Sequence, residues 1–149
     1  MINISDMCAP DTEEVLVIEN EAFSLPWSRQ SFLDAIQNEN AVYLVIKEDE
    51  RVCGYLGMWY GGTDAEITNV AVLSDDRGRG FGKMLLAAAY DRARTDGMEK
   101  MFLEVRVSND IARNMYEKFG FEHIGIRKNF YEKPVEDGYV LRRMIKNQE

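Results

Sequence analysis

The stretch from Ile67 to Leu86 leaves this chain little freedom in how it folds. Ile67-Thr68-Asn69-Val70-Ala71-Val72 is a β-branched, mostly apolar run of strand length. Residues 73–77 form a polar turn. Gly78, Gly80 and Gly82 then alternate with Arg79 and Phe81, and the Ala- and Leu-rich sequence from Lys83 onward continues directly as a helix. Strand, glycine corner and helix in immediate succession bring the unpaired N–H groups of a first helical turn to the corner. Glycine there permits positive φ and lets another molecule approach the backbone closely.

Such a corner suits a pyrophosphate. The helix dipole adds positive potential at its N-terminus, and Arg77, Arg79 and Lys83 add side-chain charge. Other phosphate motifs fit less well. No Gly-x-x-x-x-Gly-Lys-Ser/Thr is present. The dinucleotide fingerprint needs Gly-x-Gly-x-x-Gly and an acid at the end of a second strand, whereas Asp96-Gly97 reads as a turn.

The chain is 149 residues long, with 46% apolar and 30% charged residues, which suits one globular domain over 1–149 with a sizeable core. No apolar run approaches the ~20 residues of a membrane span. The start, Met1-Ile2-Asn3-Ile4-Ser5-Asp6, lacks a basic or apolar leader, so a cytoplasmic location is expected. Cys8, Cys53 and the sole histidine, His123, are too few for a disulfide framework or a His/Cys metal centre, and no metal is expected. The 26 acidic against 18 basic residues, a net charge of −8, argue against nucleic-acid binding and favour a cationic partner such as a basic protein tail.

In chain order, residues 2–7 read as an edge strand. Asp11 and Glu14 offer a capping box for a helix carrying Val15, Ile18 and Ala22. Ser24-Leu25-Pro26-Trp27 breaks that helix, and Ser28 caps a second one to about residue 37, with Phe32, Leu33 and Ile36 inward. Leu25 and Trp27 are large for a solvent loop and are candidates either for a substrate mouth or for pinning the helices to the sheet. Strands over 41–46, 52–60 and 65–72 make an antiparallel meander, with Cys53, Tyr55, Gly57 and Trp59 on one face. Gly54 and Gly57 mark a bulge or a close approach. A helix over 83–94 buries Leu85, Leu86, Ala89 and Ala93. The strand over 100–107 follows by a parallel, right-handed crossover. A further helix carries Ile111, Ala112, Met115 and Phe119 inward and ends at Gly120. A strand over 122–127, a loop over 128–138 and a strand over 139–144 close the chain, and residues 147–149 are expected to fray.

Two polar residues interrupt apolar settings near the end of the 100–107 strand. Glu104 breaks the strand's run, and Tyr116 follows on the next helix. An ion pair for Glu104 and core packing for Tyr116 are the plain explanations. Together they also fit attack of an amine on a thioester. A carboxylate takes the amine proton, and a phenol supplies one to the departing thiolate. An α-amine, with a reference pKa near 8, is accessible as free base at neutral pH.

Arg77-Gly78-Arg79-Gly80-Phe81-Gly82 resembles the acetyl-CoA pyrophosphate motif of the GNAT N-acetyltransferases, and Ile67 to Val72 resembles the strand before it. Leu103-Glu104-Val105-Arg106, Ser108-Asn109, Ala112, Tyr116 and Gly120-Phe121, with Leu25-Pro26-Trp27-Ser28 and the tail from Arg127 to Tyr131, resemble the RimI family. The resemblance implies a GNAT fold: a mixed, mostly antiparallel sheet of about seven strands with about four helices. It implies acetyl-CoA as co-substrate and the N-terminal amine of a small-subunit ribosomal protein as acceptor; a monomer or weak homodimer is expected. It also implies Glu104 as general base and Tyr116 as general acid. Val70, Ala71, Val72, the segment Arg77 to Lys83 and Asn109 would contact the cofactor, and Leu25, Trp27 and Tyr131 the acceptor. Glu66 is a rival base. Ser74, Phe130 and Gly138 depart from the family's usual proline, tyrosine and alanine. A small amine or a protein lysine remains an alternative acceptor.

Overall fold

The computed structural model describes residues 1–145. Its strands are β1 (Ile2–Asp6), β2 (Ala41–Glu48), β3 (Arg51–Gly61), β4 (Asp64–Val72), β5 (Lys100–Arg106), β6 (Glu122–Tyr131) and β7 (Glu136–Met144). The helices are α1 (Thr12–Ala22), α2 (Arg29–Gln37), α3 (Phe81–Thr95) and α4 (Asp110–Lys118). All seven strands join one sheet in the order β1-β2-β3-β4-β5-β7-β6. Only β4 and β5 run parallel, because α3 carries the chain between them. This is the mixed, mostly antiparallel GNAT architecture that the resemblance implied.

Each sheet face has its own core. Leu85, Leu86, Ala89 and Ala93 of α3 and Tyr116 of α4 pack with Leu56, Met101 and Leu103 on one face. Val15 and Ile18 of α1 and Phe32 of α2 pack with Val45 and Tyr55 on the other. Ser28 caps α2 by accepting from the Ser31 N–H at 3.2 Å. Gly80, at φ 85°, opens α3.

Several local expectations are corrected. Asp11 does not cap α1 through Glu14. Its carboxylate accepts from the Cys8 N–H at 2.9 Å and pairs with Lys47, while Glu14 accepts from the Val52 N–H at 2.6 Å. Cys53 faces the α3 side, opposite Tyr55, because the β2–β3 register slips at Ile46/Lys47 and one extra residue turns the strand over. Ala35, rather than Leu33, is the buried companion of Phe32. Ile111 is 87% exposed; the first turn of α4 points it outward, and Tyr116 takes the inner stripe. β6 and β7 run to Tyr131 and from Glu136, so most of the expected 128–138 loop is strand. Residues 147–149 lie outside the described residues.

Gly57 is the close approach its position suggested. A Cβ there would lie 2.4 Å from the Tyr43 ring. On the other edge of β3, the register jumps from Met58↔Ile67 to Gly57↔Asn69, leaving Thr68 as an extra residue in β4. Such a bulge bends its strand. The β4–β5 ladder accordingly stops at Ile67↔Leu103, and the two strands part beyond it.

Candidate active site

The parted strands open a groove of about 670 Å³. It is walled by residues 67–70 of β4 and 103–106 of β5, by Asn109, Ala112 and Tyr116, by the α1–α2 connection from Ala22 to Leu25, and by residues 130–134.

The glycine corner follows β4 in the chain and opens α3. Gly78 and Gly80 hold φ of 79° and 85°, in the left-handed region that favours glycine. The α3 ladder begins with the Met84 N–H donating to the Gly80 carbonyl at 3.0 Å. The N–H groups of Phe81, Gly82 and Lys83 therefore point out of the helix end. These features fit a pyrophosphate, and Val70, at the groove wall, leads into them. The basic side chains of the corner also make contacts within the fold. Arg79 pairs with Glu48 at 2.6 Å and Asp76 at 3.1 Å, and lies over the Phe81 ring. Arg51 also holds the buried Asp76 at 2.8 Å. These arginines keep both carboxyls below the usual range, Arg51 foremost for Asp76 and Arg79 for Glu48. Arg79 thus ties the corner to the β2–β3 hairpin. Arg77 donates through Nε to the Val72 carbonyl at 3.2 Å. Phe81 and Ala71 are buried in the two cores, and Lys83 is exposed.

At the groove centre, Glu104 and Tyr116 approach from opposite faces of the sheet. Met101, Leu103 and Val105 share a core with Tyr116, so the alternation of β5 turns Phe102, Glu104 and Arg106 toward the α1–α2 face. The Glu104 side chain is 14% exposed, and among the described residues its ion pair is with Arg127 Nε at 3.5 Å. Burial, then the field of Glu66, pushes its carboxyl above the usual range, and Arg127 opposes them. Glu66 is exposed on the same face by alternation. Desolvation pushes the Tyr116 phenol up to about 12. Asn109 caps α4, its Oδ1 accepting from the Ala112 N–H at 3.2 Å.

At the mouth, Leu25 and Phe23 border the groove, opposite Phe130 and Tyr131. Trp27 does not. Its ring stacks on Tyr43 with centroids 6.0 Å apart and packs against Phe32, and its backbone N–H donates to Glu19 at 2.8 Å. The pinning role, one of its two candidates, is the one its contacts describe. Burial, then the charge of Glu104, raises the Tyr131 phenol above its ordinary range. His123 sits at the surface, 2.7 Å from Glu117.

Sequence reasoning missed a polar chain behind the groove. The Trp59 indole N–H donates to Tyr43 Oη at 3.1 Å, and Tyr43 donates to Asn69 Oδ1 at 3.4 Å. Buried Glu19 accepts from Tyr55 Oη. Glu19 falls on the helical stripe of Val15, Ile18 and Ala22, a signal available in the sequence. The contacts of Asn69 depend on the bulge at Thr68, which no local pattern announces.

The sequence profile of the Acetyltransferase (GNAT) family matches residues 12–121. A Haemophilus influenzae protein named as a ribosomal protein bS18-alanine N-acetyltransferase is 37% identical over 131 residues, 88% of each chain. A Bacillus subtilis protein provisionally given the same activity is 37% identical over 139 residues, 93% of this chain and 92% of that one. The crystal structure of the ribosomal-protein-S18-alanine N-acetyltransferase from Escherichia coli superposes with a TM-score of 0.91 at 28% identity, covering 100% of this chain and 97% of that one. With the glycine corner, the parted strands and these likenesses together, the chain belongs to the GNAT acetyltransferase family, as an acetyl-CoA-dependent enzyme closely related to the bS18-alanine N-acetyltransferases.

Proposed function

We propose that this enzyme acetylates the N-terminal α-amine of a protein, with ribosomal protein bS18 as acceptor, in the cytoplasm. The observation that carries the reading is the placement of a proton-avid carboxylate and a phenol on opposite faces of one split in the sheet. The glycine corner from Arg77 to Lys83 holds the pyrophosphate, and the β4 backbone from Val70 to Val72, with Asn109, borders the pantetheine arm. The acceptor enters over the α1–α2 face, between Leu25 and Tyr131, with Trp27 fixing the connection from behind. Glu104 takes a proton from the α-ammonium or from the attacking amine. The nitrogen bonds to the thioester carbonyl carbon, the carbon–sulfur bond breaks, and Tyr116 donates its hydrogen to the sulfur. Glu66 adds negative potential that favours a cationic N-terminus.

The test is an acetyl-CoA assay on peptides beginning with Ala, Ser or Thr, with mass spectrometry locating the acetyl group. Transfer to the α-amine of a bS18 N-terminal peptide is expected. Equal activity on spermidine or on lysine side chains, or none on any peptide, would refute the assignment.

A further inference from the structure

The ladder between β6 and β7 is broken just before Tyr131. Regular pairing ends at Arg127↔Gly138, and Tyr131↔Glu136 is the single pair beyond the break. Between them, the Asn129 N–H donates to Asp137 at 2.8 Å. A groove-lining ring at the end of so short a ladder needs another source of rigidity.

Arg106 of β5 supplies it. Its Nη1 donates to the Pro134 carbonyl at 2.9 Å and to Glu136 Oε1 at 3.3 Å. Its Nη2 donates to the Glu132 carbonyl at 3.1 Å, and its guanidinium lies 4.4 Å from the Tyr131 ring centre. Glu136 in turn accepts from the Ser108 N–H at 2.6 Å, so the turn is bound to β5 and to the residues just before α4. One planar fork thus bridges two carbonyls and a carboxylate while covering a ring, which a lysine ammonium cannot do. We infer that Arg106 is a positioning residue that fixes Tyr131 and the 132–135 turn beside Glu104, and so sets how firmly the acceptor's first residues are held. This rests on the reading of Tyr131 as an acceptor-site residue.

The test is a double-mutant cycle in steady-state kinetics on an Ala-initiated peptide, using Arg106→Met, Tyr131→Ala and the pair. Arg106→Met should raise the peptide KM about tenfold, the scale of a lost charge-assisted hydrogen bond, and leave the acetyl-CoA KM unchanged. Arg106→Lys, the second variant should Arg106→Met fold poorly, should not rescue it. In the Tyr131→Ala background, Arg106→Met should add less than about twofold, because the ring it positions is gone. A full tenfold loss on top of a damaging Tyr131→Ala, or an acetyl-CoA KM that moves in step, overturns the inference alone. A peptide KM unchanged by Tyr131→Ala overturns the reading of Tyr131 and the inference with it.

Discussion

Replacing Tyr116 with phenylalanine separates chemistry from folding unusually well in this enzyme. The ring is 8% exposed, touches Phe121 at a centroid distance of 5.9 Å, and would be kept. Tyr116 lines the groove, and no hydrogen-bond partner for its hydroxyl occurs among the described residues. Its removal orphans no donor or acceptor, so stability should change by less than about 0.5 kcal/mol, or about 2 °C in Tm. The catalytic loss should be far larger. General acids are worth roughly 10²–10⁴ in rate. A phenol pushed up to about 12 stays protonated across the assay range, but it is a weak acid toward a thiolate whose pKa lies near 8.5. Full proton transfer is uphill, so the benefit belongs at the low end of that range. The expectation is a fall in kcat of about 100-fold, or about 2.7 kcal/mol in the barrier. The assay is thiol release at saturating acetyl-CoA and peptide, paired with a thermal melt. A kcat within threefold of the parent, or a loss matched by a falling Tm, would refute the acid role.

Removing the cation beside the base should move the pH profile. Arg127 holds the Glu104 carboxyl down against burial and Glu66, so Arg127→Gln should raise it further. The base works when ionised, so activity is lost as pH falls through its pKa, and the acidic limb of kcat/KM should shift to higher pH. Glu66→Gln should shift it the other way; a limb that moves in neither variant belongs to another group. The same raised carboxyl weakens the fold as pH rises through its range. Gly57→Ala tests the packing behind the site. The new methyl meets the Tyr43 ring, which Trp27, Phe32 and Trp59 prevent from retreating. Overpacking should cost about 1–3 kcal/mol and lower Tm by about 2–12 °C; a shift within 1 °C would show that the ring moves freely.

What the chain announces in advance is what local spacing controls. Leu85, Leu86, Ala89 and Ala93 recur at helical intervals and are all buried, and the period-two alternation of β5 turns Glu104 away from Leu103. Gly78 and Gly80 adopt the left-handed φ that their place before a helix implied. What stayed illegible depends on register. One extra residue in β3 sends Cys53 to the other face, and one in β4, at Thr68, opens the groove; a bulge leaves no periodic trace. The pairing of Arg79 with Glu48, 31 residues away, was equally unreadable, although its other partner, Asp76, lies only three residues back. Trp27 and Leu25, two residues apart, had looked interchangeable. Only the second borders the groove, because Tyr43 offers the indole a surface to stack on.

The parting of β4 and β5 after Leu103 has an implication for solubility. Two strands that separate inside a sheet expose raw edges where most proteins have none, and raw edges recruit other chains. Here they line the groove, together with Ala112 and Tyr116 of α4 and the α1–α2 connection. The fold thus keeps these unpaired edges inside the sheet, away from the outer strands where chains pair edge to edge.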